Sequence, residues 1–283
     1  MKSRLLASLS FLGALAIVAV GVPSISQSRI QVGYCTSLKN LAAAKTAGFD
    51  YVELATTEIA ALSDADFERT VLEIESIGLP TPVANLFLPA TLKVTGPDID
   101  PQQQSNYVAR AFERLSRVGV RLVVFGSGAA RRLPGGFATE AGYRQLVEFG
   151  RRIAPMAAAR AMTVAVEPLR HEETNIINTA ADGLALVEAV NDPAFQLMID
   201  FYHLASERED PGIIMRARTH LRHLHVANPN GRVFPREAVE FEYEPFFAAL
   251  RTIGYGERIS VEATTANLQT DAPLAIAMLR RFF

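Results

Sequence analysis

The chain has 283 residues, of which 49% are hydrophobic and 20% charged, and its 28 basic and 30 acidic side chains give a net charge of −2. This composition is typical of a globular protein and excludes disorder, collagen and a coiled coil. A weakly acidic chain without a basic run is a poor candidate for nucleic-acid binding, and its single cysteine, Cys35, excludes an intrachain disulfide framework.

Residues 1–28 differ in composition from the rest of the chain. Lys2 and Arg4 precede an apolar run of 18 residues, 5–22, and Pro23 and several serines follow it. This order is typical of a secretory signal peptide. Because the run approaches the length of a membrane-spanning helix, an uncleaved N-terminal membrane anchor stays open as the alternative. Both interpretations predict export to the periplasm or the extracellular space, with residues 29–283 as the folded domain.

Short apolar, β-branched runs recur along residues 29–283, as expected for parallel strands covered on both faces. The predicted strands are residues 30–34, 51–54, 82–87, 121–125, 163–167, 196–200, 223–226 and 258–262. Amphipathic stretches predict helices over residues 37–47, 63–77, 102–118, 139–161, 179–190, 211–220, 243–253 and 271–282.

Eight strand–helix pairs in about 255 residues fit a single-domain α/β fold, the (β/α)8 TIM barrel. An open, doubly wound sheet is the alternative. That fold normally carries a glycine-rich nucleotide fingerprint after its first strand, and the segment VGYCTSLKN has none.

Four successive predicted strands carry an ionisable residue at or near the end, where functional residues of a barrel lie. They are Glu167 in VAVEPL, Asp200 in MIDFYH, His225 in HLHVAN and Glu262 in ISVEAT. Buried carboxylates are usually paired or bound to metal, and this donor set suits Mn²⁺, Mg²⁺ or Co²⁺, with Zn²⁺ or Fe²⁺ as alternatives. On the same strand as His225, we interpret His223 as a structural residue directed toward the helices.

These motifs resemble the xylose isomerase-like TIM barrels of the sugar phosphate isomerase/epimerase superfamily, over residues 30–283. The resemblance to the ketose 3-epimerase branch implies that Glu167, Asp200, His225 and Glu262 bind one divalent cation, usually Mn²⁺. It also implies that Glu167 and Glu262 act as catalytic acid and base.

The same resemblance implies further residues that bind substrate. Glu173 in EPLRHEETN, His203 in MIDFYH and Arg232 in HVANPNGR correspond to substrate-contacting positions of the ketose 3-epimerases. Asn85 and Phe87, in VANLFLPATLKVTG, are predicted to line the pocket.

The resulting hypothesis is a metal-dependent isomerase or epimerase of a small sugar or polyol. A proton is removed next to a carbonyl, and the metal stabilises the enediolate. A dehydratase or hydratase of an inosose or 3-keto sugar is the alternative, and a secreted, non-catalytic sugar-binding barrel is an alternative of another class. We expect a small-molecule partner, no nucleic acid, no membrane contact beyond the N-terminal segment, and a homo-oligomer.

Arg131 and Arg132, in GSGAARRLPGG, are interpreted as part of a solvated loop, with an anion site as the alternative.

Overall fold

The computed structural model describes residues 30–283. Within them, eight parallel strands close into a barrel in chain order, because β1 pairs with β8 as well as with β2. The strands are β1 (Gln31–Thr36), β2 (Tyr51–Ala55), β3 (Val83–Asn85), β4 (Leu122–Phe125), β5 (Thr163–Val166), β6 (Phe195–Asp200), β7 (Leu221–Val226) and β8 (Arg258–Val261).

Helices connect successive strands along the outside of the barrel. They are α1 (Leu41–Thr46), α2 (Thr56–Ala61), α3 (Asp64–Ile77), α4 (Pro101–Arg117), α5 (Gly128–Arg131), α6 (Thr139–Ala158), α7 (Ala180–Val190), α8 (Phe201–Ser206), α9 (Ile213–Ala217), α10 (Glu244–Thr252) and α11 (Leu268–Arg281). Single 3₁₀ turns span Leu38–Asn40 and Ala238–Glu240.

A small apolar cluster fills the interior of the barrel, with one side chain from each of β2 to β6. Its members are Tyr51, Val83, Val124, Ala165 and Met198. Gly33 on β1 makes room for Tyr51, because a Cβ at that position would lie 2.2 Å from the aromatic ring. The filled interior leaves the carboxyl ends of the strands as the place where functional side chains can meet.

The larger core lies between the strands and the helices. Phe125 on β4 packs against Phe149 on α6, with ring centroids 5.4 Å apart. Phe87, just after β3, stacks on Phe112 of α4 at 5.5 Å. These contacts fix the ends of β3 and β4 against the helical layer, and so fix the loops that begin there.

The closed barrel confirms the predicted fold and excludes the open sheet. Each predicted strand is present, with its ends within two residues of the predicted ones. The short helices α2, α5 and α8, each of which begins within a few residues of a strand end, were not predicted. No helix among residues 30–283 is both long and apolar enough to cross a membrane. The predicted signal segment, 1–28, lies outside the described residues and stays a prediction, as does the homo-oligomer.

Candidate active site

Four side chains from successive strands meet at the carboxyl end of the barrel. Glu167 directly follows β5, Asp200 ends β6, His225 lies on β7 and Glu262 directly follows β8. One potential ligand atom from each lies within 4.8 Å of those of the other three. The structure therefore brings together the four predicted metal ligands.

Three of these side chains direct an unpartnered polar atom into the cluster. Oε1 of Glu167, Oδ2 of Asp200 and Nδ1 of His225 are buried and have no hydrogen-bond partner among residues 30–283. Nδ1 of His225 lies 3.4 Å from Oε1 of Glu167 and 3.5 Å from Oε2 of Glu262. Unpartnered buried polar atoms are unfavourable, and these would be satisfied as ligands of one ion. The residues therefore form a carboxylate and histidine set that fits a divalent cation.

The charges of the site also favour a cation. Burial and the neighbouring carboxylate of Glu262 raise the pKa of Asp200 to about 8, and burial raises the pKa of Glu167 above its usual range. Burial would raise the pKa of Glu262 as well, but His225 and Arg232 lower it to about 2. Three carboxylates thus share a space in which their negative charges repel one another, and a bound cation would relieve that repulsion.

A glutamate that the sequence analysis missed lies directly behind His225. Glu53 on β2 is fully buried, and it accepts hydrogen bonds from Nε2 of His225 and Nε2 of His223, both at 2.9 Å. Its Oε2 also accepts from the hydroxyl of Ser260, at 2.7 Å. The signal was present in the sequence: Glu53 is a carboxylate inside an otherwise apolar strand.

The interpretation of His223 as a residue directed toward the helices is wrong. His223 and His225 both contact Glu53, and both point into the barrel. Side chains alternate along a strand with a period of two, so residues two apart share a face. His223 is nevertheless structural, because its Nε2 is used by Glu53 and it is not among the four clustered ligands.

Arg232 spans the mouth of the site. Its guanidinium donates to Oε2 of Glu262 at 2.5 Å and to Oε1 of Glu173 at 3.2 Å, and it lies 4.6 Å from the ring centre of Tyr202. Its φ of +51° is left-handed, which arginine adopts only at an energetic cost. Arg170 donates to the same oxygen of Glu173, at 3.0 Å. The structure thus places the two predicted substrate-binding residues Glu173 and Arg232 beside Glu262.

His203, on α8, directs one ring nitrogen into the site. Its Nδ1 accepts the backbone N–H of Arg170 at 3.3 Å, so its proton is on Nε2. That Nε2 lies 3.6 Å from Oδ2 of Asp200 and 3.9 Å from Oε1 of Glu167. Burial, with Arg232 nearby, lowers the pKa of His203 to about 3, so the ring is neutral. It offers the site an N–H donor.

Of the two residues predicted to line the pocket at the end of β3, only one does so. The side-chain amide of Asn85 donates to Oε1 of Glu262 at 3.2 Å and faces the cavity. Phe87 is instead fully buried against Phe112 and does not line the cavity, so its predicted role is wrong. The chain takes a left-handed conformation at Leu86, with φ of +46°, which ends the strand alternation before Phe87.

Arg131 does not belong to a solvated loop or to an anion site. It is fully buried, and its guanidinium donates to the backbone carbonyls of Phe125, Glu167 and Ile177 at 3.1, 2.7 and 3.4 Å. Burial lowers its pKa to about 10, which leaves it charged at neutral pH. Arg131 therefore fixes the backbone of Glu167, and Arg132 alone is exposed.

A cavity of about 590 Å³ opens above these side chains. Glu167, Glu173, Arg232 and Glu262 line it, as does Cys35, whose Sγ lies 3.7 Å from Nε2 of His225. Gly126, directly after β4, admits Glu167, because a Cβ there would lie 2.3 Å from Oε2 of that glutamate. The site thus combines a set of side chains that fits a divalent cation with room for a small organic molecule.

Known proteins share this architecture. A family model described as the xylose isomerase-like TIM barrel matches residues 41–282. An L-ribulose 3-epimerase of Methylomonas sp. (strain DH-1) is 27% identical over 239 residues, covering 81% of this chain and 79% of that protein. An L-ribulose 3-epimerase of Mesorhizobium japonicum is 24% identical over 232 residues, covering 81% and 76%.

A solved structure shows the same fold. The D-allulose 3-epimerase from Methylomonas sp., in complex with D-allulose, has a TM-score of 0.80 at 23% identity, covering 90% of this chain and 98% of that one. The predicted relation to sugar isomerase and epimerase enzymes is confirmed by these relatives. On the match over residues 41–282, the chain belongs to the xylose isomerase-like TIM barrel family.

Proposed function

We propose that this protein is a divalent-metal-dependent epimerase of a small ketose. The observation that carries the proposal is the pair Glu167 and Glu262, which come from β5 and β8 and bring carboxylate oxygens within 4.8 Å of each other beside the unpartnered nitrogen of His225. Both relatives described above are L-ribulose 3-epimerases, which supports the same reaction.

Glu167, Asp200, His225 and Glu262 would hold the cation, for which we propose Mn²⁺ because three hard carboxylates and one imidazole suit it. A bound divalent cation supplies Lewis-acid stabilisation of the negative charge that develops on substrate oxygens.

Inversion at carbon requires proton transfer on two opposite faces. One of the two carboxylates takes the proton from the carbon next to the carbonyl, and the C–H electron pair moves toward the carbonyl oxygen to give an enediolate. The other carboxylate returns a proton to the opposite face. Arg232 and Asn85 each bind one oxygen of Glu262 and so fix its plane. Gly126 and Arg131 fix Glu167, the first by leaving space and the second through its backbone carbonyl.

Neutral His203 and the pair Glu173 and Arg232 complete the site. The Nε2–H of His203 is available to donate to a substrate oxygen, since it has no partner among residues 30–283. Glu173 accepts, and Arg232 donates, so together they can bind adjacent hydroxyl groups.

The test is solvent exchange in D₂O with L-ribulose and D-allulose, after the metal content of the purified protein has been measured and Mn²⁺ restored. We expect deuterium at the carbon next to the carbonyl and formation of the epimer. Glu167→Gln and Glu262→Gln should each lower the rate by a factor on the order of 10² to 10⁴, and Glu75→Gln on the exposed face of α3 should not.

Full turnover by either active-site variant would overturn the assignment. An unsaturated product would indicate the dehydratase, in which loss of a β-hydroxyl replaces reprotonation. Sugar binding without any exchange would indicate the non-catalytic binding protein.

A further inference from the structure

The cavity has two chemically different sides. Its four charged lining residues, Glu167, Glu173, Arg232 and Glu262, all belong to segments that follow β5, β7 and β8. The lining contributed by β1 to β4 and their loops carries no charged side chain within the described residues. Because β3 and β7 lie on opposite sides of the closed barrel, Leu86 and Leu88, which follow β3, lie across the cavity from Arg232, which follows β7.

Leucines stand out on the uncharged side. Leu86 is 55% exposed although it lines the cavity, and Leu88 lines it two residues later. Leu86 also has a left-handed φ of +46°, an unfavourable conformation for a leucine. An exposed apolar side chain on strained backbone is unfavourable in the free protein on both counts, and such strain clusters at ligand-binding sites.

This segment is held in place from both sides. The hydroxyl of Tyr107 donates to the carbonyl of Phe87 at 2.8 Å, and the N–H of Leu88 donates to Oγ of Ser127 at 2.9 Å. Phe87 itself is anchored in the core by stacking on Phe112. The exposure of Leu86 is therefore built into the loop.

The cavity is larger than a free ketose requires. A six-carbon ketose has about 12 non-hydrogen atoms. If each of them is given the volume of a whole water molecule, about 30 Å³, which is a generous allowance, the sugar fills roughly 360 Å³. The cavity holds about 590 Å³. With the reacting carbons beside Glu167 and Glu262, the space left over includes the part of the cavity that Leu86 and Leu88 line.

We propose that the substrate is an uncharged ketose that carries an apolar substituent at the end remote from the reacting carbonyl, and that this substituent packs against Leu86 and Leu88. The inference rests on the proposed function and specifies its substrate class. A phosphate at the same end is disfavoured, because its charge would be buried without a cation: Arg232 already pairs with Glu262 and Glu173.

The test compares four probes that differ only at the sixth carbon: D-fructose, its 6-O-methyl and 6-O-butyl ethers, and its 6-phosphate. The methyl ether controls for the ring form that a blocked sixth oxygen imposes. Binding is measured by calorimetry with Mn²⁺ present, and proton exchange is measured separately in D₂O. A fully buried methylene contributes about fourfold in affinity, so half-burial of the three extra methylenes predicts about eightfold tighter binding of the butyl ether than of the methyl ether.

Leu86→Asn should remove most of that preference, because the butyl chain loses its apolar contact. Asparagine tolerates left-handed backbone, so this variant is expected to fold. Leu72→Asn, at an exposed leucine of α3 remote from the cavity, is the matched control and should keep the preference. Equal binding of the two ethers, or 6-phosphate binding as tight as that of the methyl ether, would overturn the inference. Absence of exchange with every probe and also with L-ribulose and D-allulose would overturn the proposed function instead, and the binding comparison would still decide the substituent.

Discussion

Oε1 of Glu53 lies 2.9 Å from Nε2 of His225, and this hydrogen bond determines which ring nitrogen faces the candidate cation site. Burial alone would raise the pKa of Glu53, but the two histidines lower it well below its usual range, so the carboxylate is ionised and accepts the Nε2 proton. With that proton held on Nε2, Nδ1 of His225 can present its lone pair toward Glu167 and Glu262. Carboxylates behind ligating histidines commonly orient the ring and raise its basicity.

Glu53→Gln should therefore weaken metal binding. The amide keeps the size of the side chain but loses the charge that fixes the Nε2 proton. We expect the affinity for Mn²⁺ to fall by about 10- to 100-fold, measured by competition with a chelator at a temperature where the variant is folded. Glu75→Gln, on the exposed face of α3, is the control. A variant with reduced thermal stability but unaltered Mn²⁺ affinity would show that Glu53 has only a structural role.

The position of Glu167 depends on the absence of a side chain at Gly126. Gly126→Ala would place a Cβ 2.3 Å from Oε2 of Glu167, and the carboxylate would have to move. A displacement of about 1 Å can lower a catalysed rate by about 100-fold, and we expect a loss of that size in proton exchange together with weaker Mn²⁺ binding.

Gly135→Ala is the matched control, because a Cβ at that position meets nothing within 4 Å. Both variants should have the circular dichroism spectrum of the parent protein. Wild-type exchange by Gly126→Ala would mean that Glu167 does not act from the position observed here.

The part of the site that could be predicted lies at the strand ends. An apolar run that ends in a carboxylate marks both the strand and the open end of the barrel, so Glu167, Asp200 and Glu262 could be placed together from the sequence alone. His225 could be added because its strand, β7, lies between the two strands at whose ends Asp200 and Glu262 lie.

The remaining features depend on contacts between distant segments. Glu53 meets His225 only because β2 and β7 face each other across the closed barrel, at a sequence separation of 172 residues. Arg131 stands in a run of glycines and small residues that is typical of a solvated loop, and only the tertiary structure surrounds it with three carbonyl groups. The regular alternation of side chains along a strand also could not predict where the side chain of Phe87 points. The residue before it, Leu86, is left-handed and changes the direction of the chain.

The position of Phe87 in the core, and not in the lining of the cavity, can be tested by mutation. Because its ring is fully buried against Phe112 and Phe125, Phe87→Ala should lower the free energy of unfolding by about 3–5 kcal/mol, measured by urea denaturation. Leu86→Asn, one residue earlier and exposed, should not lower it. If Phe87 lined the pocket, its replacement would instead raise KM and leave stability nearly unaltered.

Arg131 and Arg132 are adjacent and chemically identical, yet their replacement should have very different effects. Arg131→Ala removes the donor from the carbonyls of Phe125, Glu167 and Ile177 and leaves these buried acceptors without it. We expect a loss of about 3 kcal/mol or more in the free energy of unfolding, since each unsatisfied buried group costs about 1–3 kcal/mol. Arg131→Lys should recover only part of this loss, because an ammonium group cannot reproduce the planar donor geometry of a guanidinium.

Arg132, which is exposed and donates to the carbonyl of Glu172, is the matched control, and Arg132→Ala should alter stability by less than about 0.5 kcal/mol. Equal effects of the two alanine variants in urea denaturation would contradict the assignment of Arg131 as the residue that fixes the backbone of Glu167.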